Sequence, residues 1–206
     1  MSDCKEKLDC ICCGSWNLKP VLDLGESPLA NSYHKEGEVL PKYPLGLNLC
    51  LNCYHLQLTH IVNPDLLFKD YLYVSGTSQT MRDYFKWFAR FAEELYLDYN
   101  FGDCPCSVLD IGCNDGTLLD EFKKLDLATI GVDPAENLYP ETSKRHRIIC
   151  DYFREGLLES RDGYDLTFDN RVDIITAQNV FAHTETPLDF LNACKPLMYD
   201  ESVLFI

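Results

Sequence analysis

The stretch SVLDIGCNDGTLLDEF, residues 107–122, constrains the fold of this chain more than any other. An apolar run breaks at Asp110 into a glycine-spaced loop and passes into an amphipathic segment. This is the strand–turn–helix by which α/β proteins present backbone N–H groups to a nucleotide. The dinucleotide fingerprint G-x-G-x-x-G is not met, because Asn114 and Asp115 follow Gly112 where the pattern asks for glycine spacing. What stands instead is Asp110-x-Gly112-x-Asn114-x-Gly116. Asparagine tolerates positive φ better than most residues, so Asn114 can replace a middle glycine. An acid at the strand end would repel a pyrophosphate lying on the loop, but it suits a ligand with a cationic amino-acid end. S-adenosylmethionine (SAM) is such a ligand. Asp133, in TIGVDPAEN, closes the next strand about 20 residues on, where a carboxylate can grip ribose hydroxyls.

Beyond Ser107 apolar runs and amphipathic stretches alternate. Strands are expected at 107–111, 129–132, 147–150, 172–176 and 202–206, and helices near 116–125, 152–159 and 187–198. The alternation implies an α/β fold with a parallel, doubly wound, Rossmann-like sheet. Thr186-Pro187-Leu188-Asp189 is a helix start, with a capping hydroxyl and proline at the first helical position. Met81, Tyr84, Phe85, Phe88, Ala92, Leu95 and Tyr96 recur at spacings of three and four, the pattern of a core-facing helix over 81–97; an aromatic cofactor box is the alternative.

The carboxyl ends of such strands face the ligand crevice. Asp151 is placed to meet an adenine amino group, a solvated turn acid being the alternative. Asn179 and His183 follow the fourth strand and would border the methyl donor, although a lone histidine is also a common structural residue.

The first sixty residues are loop-rich, and apolar burial alone would hold them poorly. Six of the 11 cysteines lie there, and Cys10-x2-Cys13 and Cys50-x2-Cys53 form two thiolate hooks separated by thirty-six residues. Two such hooks complete a tetrahedron suited to structural zinc, with no position left open for catalysis. Cys4 and Cys12 are alternative ligands. Cys104, Cys106, Cys113, Cys150 and Cys194 are expected as small, mostly buried hydrophobes. An odd count and the absence of an apolar N-terminal segment argue against a disulfide framework and for a cytoplasmic protein. With 18 basic against 33 acidic residues the net charge is −15, which excludes a phosphate-backbone binder; no run is long and apolar enough to span a membrane.

The stretches CICCGSWNLKPVLDLGESPLANSY, YPLGLNLCLNCYHLQLTHIVNPDLLFKDYLYVSGTSQTMRDYF, VLDIGCNDGTLLDEF, GVDPAEN and AQNVFAHTE together resemble the zinc-containing, SAM-dependent C-methyltransferases of nucleotide-linked deoxysugars. The resemblance implies a zinc-binding domain over 1–62, a connector and helix over 63–100, and a SAM-binding domain over 101–206. It places zinc on Cys10, Cys13, Cys50 and Cys53, the SAM loop on Asp110, Gly112, Asn114 and Gly116, and the ribose acid on Asp133. It puts active-site polar groups on His183 and on a tyrosine of YLYVSG, Tyr73 before Tyr71. Tyr54 stands where the second zinc hook of the family carries glycine.

The family also implies a third domain, so the chain is expected to stop at Ile206 after its fifth strand without it. A separately encoded C-terminal piece, or self-association through that strand, would then be a partner. The expected activity is C-methylation of a keto-deoxysugar, in which a base removes the proton beside the ketone and a donor steadies the enolate. His183 and Tyr73 are the candidates, His183 as base, enolate donor or sugar-positioning group. A non-catalytic or split-gene SAM- or sugar-binding fragment, and an O- or N-methyltransferase on another small molecule, are the competing readings.

Overall fold

The computed structural model describes residues 3–30, 32–100, 105, 107–158 and 171–206. Cys104, Cys106 and position 159 of the expected 152–159 helix lie outside the described residues. The chain divides into two compact units, one of residues 1–73 with 185–187 and one of 74–184 with 188–206.

In the first unit the two hooks sit among short antiparallel strands. β1 (Cys4–Glu6) pairs with β5 (His60–Val62), and β2 (Leu18–Ser27), β3 (Tyr43–Cys50) and β4 (Leu56–Leu58) form a second sheet in that order. The ten-residue β2 and eight-residue β3 are more regular structure than the loop-rich expectation allowed. β2 is nearly all exposed, carries Pro20, and shifts register twice against β3. An edge strand of that kind has no burial alternation to betray it. A four-residue helix, α1 (Asp65–Phe68), follows.

The second unit is built around a five-stranded sheet: β6 (Ser107–Ile111), β7 (Ala128–Val132), β8 (Arg147–Ile149), β9 (Val172–Thr176) and β10 (Met198–Phe205). Its order is β10-β9-β6-β7-β8, and every neighbouring pair is parallel. The expected strands are all present, β10 starting earlier than anticipated because a register irregularity lies between Met198 and Val203. Strand order reverses at β6, which lies between β7 and β9, and this switch point is where open α/β sheets bind ligands.

Burial on both faces explains the apolar runs. Val108 and Ile174 face a cluster with Phe85, Phe88, Ala92 and Tyr96 of α2 (Gln79–Tyr99) and Leu118, Leu119 and Phe122 of α3 (Thr117–Lys123). Leu109 and Ile175, one residue on, face the opposite cluster with Phe190 and Cys194 of α5 (Pro187–Cys194). The helix expected over 81–97 is thus core-facing, and Ser78 caps it, its hydroxyl accepting from the Met81 N–H at 3.4 Å. No helix forms over the described residues 152–158: Gly156 takes φ +70° and breaks the run, while Leu157 and Leu158 are buried from a turn. The short helix of this region is α4 (Tyr139–Thr142), ahead of β8. Among the described residues no helix is long and apolar enough to cross a membrane.

Candidate functional site

The two hooks fold as matching knuckles. The Gly14 N–H donates to the Cys10 carbonyl at 2.8 Å and the Tyr54 N–H to the Cys50 carbonyl at 3.0 Å. Gly14 and Tyr54 both take positive φ, 70° and 62°, so Tyr54 adopts the glycine-type conformation of its turn and bears the associated strain. The sulfurs of Cys10, Cys13, Cys50 and Cys53 all lie within 4.8 Å of one another. The Cys10–Cys53 and Cys13–Cys50 separations are 3.6 and 3.7 Å. Zinc–sulfur bonds of about 2.3 Å in a tetrahedron separate the sulfurs by about 3.8 Å, so the donor set fits zinc. Cys4 and Cys12, the alternative ligands, are outside this cluster.

Backbone N–H groups tune the site. The Cys53 N–H, against the opposing effect of burial and with help from the Asn52 N–H, brings the Cys50 thiol down to about 6. Gln57 was not singled out from the sequence. Its buried amide accepts from the Ile11 N–H and donates to the Asp9 carbonyl, both at 2.9 Å, and so fastens the first knuckle to β4.

In the second unit, the D-x-G-x-N-x-G loop leaves β6 with three consecutive spaced residues at positive φ: Gly112 at 72°, Asn114 at 51° and Gly116 at 77°. Asn114 therefore stands in for a glycine, as its residue type allows. Gly112 is fixed by packing as well: a Cβ there would come within 2.3 Å of Val180 Cγ2. That approach brings the loop after β9, with Asn179 at φ 57°, beside the loop after β6 at the switch point. His183 ends a single 3-10 turn, Phe181–His183, three residues beyond Val180, and its side chain is exposed.

Asp110 is 3% exposed and accepts the Thr176 hydroxyl at 2.7 Å. Burial pushes its carboxyl up to about 7; the Thr176 bond works against this and the nearby Asp133 charge adds to it. Asp133 accepts the Asn114 N–H at 2.7 Å and the Ala135 N–H at 2.8 Å, one on each oxygen. Burial raises its carboxyl too, opposed by these two bonds. Each oxygen keeps a lone pair for a further donor. Asp151, after β8, accepts the Tyr152 N–H at 2.8 Å and pairs with Arg154 at 3.1 Å.

Two features of this loop lay beyond sequence reading. The Ser75 N–H donates to Asn114 Oδ1 at 2.9 Å and the Gly76 N–H to Asp115 Oδ2 at 3.0 Å, strapping the segment before α2 across the loop. Gly76 is required there, because a Cβ would stand 2.5 Å from both Asp115 Oδ2 and Thr117 Oγ1. His146, its side chain wholly buried, bridges Asp120 of α3 at 2.9 Å and Thr129 of β7 at 2.8 Å. Burial lowers its basicity, against the pull of Asp120, as suits a structural rather than a charged histidine. Of the sequence-derived site residues, Asp110, Gly112, Asn114, Gly116, Asp133 and the Asn179–His183 loop gather at the switch point of the second unit. Tyr73 belongs to the first unit, where its ring meets that of Tyr71 edge-on at 6.5 Å.

Residues 10–68 match a family described as a zinc binding domain, and residues 109–204 one described as a methyltransferase domain. Across its whole length the chain is 25% identical to the C-methyltransferase NovU of Streptomyces niveus, of which it covers 48%. Over 103 residues, 48% of this chain, it is 29% identical to a ubiquinone biosynthesis O-methyltransferase of Glaesserella parasuis serovar 5 (strain SH0165), covering 43% of that protein. Among solved structures it is similar to the plantazolicin methyltransferase BpumL in complex with SAH, at 23% identity and a TM-score of 0.49, over 61% of this chain and 47% of that one. The chain spans about half the length of the curated relatives it matches. Residues 10–68 thus carry a zinc-binding domain with a four-cysteine cluster, and residues 109–204 a methyltransferase domain built on a Rossmann-like parallel sheet.

Proposed function

We propose that this chain serves the C-methylation of a nucleotide-linked keto-deoxysugar, with SAM as methyl donor and zinc as a structural ion. One observation carries the choice of carbon. Likeness to a C-methyltransferase runs the whole length of the chain, whereas likeness to the O-methyltransferases is confined to about half of it. The sugar class follows from the motif resemblance of residues 10–190.

When bound, SAM supplies an electrophilic methyl group, and the protein's task is alignment. In this reading the lone pairs left on Asp133 take the ribose hydroxyls and the Asp110 carboxylate faces the cationic amino-acid end. Gly112, Asn114 and Gly116 shape the loop, Asp151 meets the adenine amino group, and Asn179 borders the methyl donor. His183, exposed on its turn, removes the proton beside the ketone or steadies the enolate oxygen. Tyr73 is the second group assigned to the enolate, on the strength of the motif alone.

The half-length likeness to O-methyltransferases favours a second reading, methylation of an oxygen on another small molecule, which needs no enolate. Incubating the chain with methyl-labelled SAM and a panel of nucleotide 4-keto sugars tests both. Label on carbon supports the proposal and label on oxygen or nitrogen supports the second reading. Binding of SAM without transfer to any acceptor overturns both in favour of a non-catalytic binding role.

A further inference from the structure

The methionine end of SAM carries a carboxylate as well as an ammonium group, and the loop after β6 is acidic ground. Asp110, Asp115 and Asp133 all stand on that loop or against it. A ligand carboxylate arriving there would be repelled unless a cation stood nearby.

The fold supplies one. Arg82 lies in the first turn of α2 and is half-buried, whereas Lys86 and Arg90 further along the helix are exposed. Its guanidinium donates to the Gly76 carbonyl and, at 2.6 Å, to Gln79 Oε1. Gly76 is itself bonded to Asp115, so Arg82 is one residue removed from the loop. Both acceptors are neutral, and Arg82 has no ion pair among the described residues. Lys124, Lys144, Arg145 and Arg154 of the same unit each pair with a carboxylate. Asp115, the acid nearest in this network, is committed elsewhere. Its Oδ1 accepts the Thr117 N–H at 3.2 Å and the Thr117 hydroxyl at 2.8 Å, and its Oδ2 accepts the Gly76 N–H at 3.0 Å. Of the five guanidinium N–H groups two are used and three remain, enough for a fork on a carboxylate. The first turn of α2 holds no acid, and its N-terminal dipole also favours an anion.

We propose that Arg82 positions SAM by holding the carboxylate of its methionine end, while Asp110 faces the ammonium group. The proposal rests on SAM as the methyl donor and not on which atom of the acceptor is methylated.

Calorimetry on the full, zinc-loaded chain tests it with two ligands. One is S-adenosylhomocysteine; the other is its decarboxylated analogue, which keeps the nucleoside and the ammonium group. Arg82→Gln should weaken S-adenosylhomocysteine about tenfold or more and leave the analogue within about twofold, because the analogue offers Arg82 nothing to hold. The ratio of the two affinities should therefore fall by about the same factor from parent to variant. A residue that merely braced the strap would weaken both ligands alike and leave the ratio unchanged, and that result overturns the proposal. Should Arg82→Gln melt well below the parent, Arg82→Lys takes its place. It keeps the charge but loses the fork, so the ratio should still fall, by less, and an unchanged ratio again overturns the proposal. A parent that binds neither ligand overturns the SAM reading along with it.

Discussion

Asp133 accepts the backbone N–H of Asn114 at 2.7 Å, so the acid ending β7 is fastened to the loop ending β6 before any ligand arrives. Its second oxygen takes the Ala135 N–H at 2.8 Å. A group held at both oxygens is preorganised, so a donor that met it would not have to order the side chain first.

Asp133→Ala should therefore weaken SAM binding by about 1.5–3 kcal/mol, through loss of a charged acceptor and of the loop it steadies. Asp133→Asn keeps an acceptor oxygen for one of the two N–H groups and should melt closer to the parent while still binding weakly. Calorimetric titration with SAM checks both; an affinity unchanged in the alanine variant would remove Asp133 from the site.

Gly112 combines a φ of 72° with a Cβ position 2.3 Å from Val180 Cγ2. Gly112→Ala should abolish SAM binding and lower stability by about 1–3 kcal/mol. Adding Val180→Ala removes the clash but not the backbone strain, so the double variant should recover part of the stability. A double variant no more stable than Gly112→Ala would show that packing against Val180 is not what reserves the position for glycine.

β6 and β9 were legible because both of their faces are largely buried, so SVLDI and VDIIT read as short, mostly apolar runs despite Asp110 and Asp173. The zinc knuckles were legible from spacing alone. β2 was not, since its side chains are exposed on both sides and Pro20 argues locally against a strand. The 152–158 stretch misled for the converse reason: Leu157 and Leu158 are buried as a helix would bury them, but from a turn that Gly156 opens. Gln57, His146 and the Ser75–Gly76 strap were invisible because each acts on residues at least 17 positions away. Those partners exist only once the chain has folded.

Asp110 makes stability depend on pH. Its ordinary value is 3.8 and the folded chain raises it to about 7, so the folded state holds the proton more tightly than the unfolded state. The stabilising contribution of that proton is complete below about pH 4 and is lost as pH rises through about 7. Thermal melts of the ligand-free protein should fall over this interval, and Asp110→Asn should flatten the fall. A cationic ligand end favours the ionised carboxyl, so SAM binding near pH 7 should release a proton; titrations in buffers of different ionisation enthalpy will detect it. Equal proton release by Asp110→Asn would assign the effect elsewhere.

The purified chain should hold one zinc per molecule, bound by four thiolates. A strong chelator should raise amide hydrogen exchange throughout β2, β3 and β4, because structural zinc supplies folding energy directly, and Cys50→Ser should do the same without a chelator. Exchange in β6 and β9, which belong to a separate core, should change little. Protection of β3 that survives full removal of zinc would show that this unit folds on its apolar contacts alone.

Asn114 carries three duties at once: a φ of 51°, an N–H donated to Asp133, and a side-chain oxygen that accepts the Ser75 N–H. Glycine would meet the first two and drop the third, losing the Ser75 half of the strap. Aspartate would meet all three but set a second negative charge beside Asp133, and serine would pay for the left-handed backbone. Position 114 thus joins two loops and the segment before α2 through one side chain, and a glycine there would leave the Gly76 N–H on Asp115 to hold that segment to the loop without the help of Ser75.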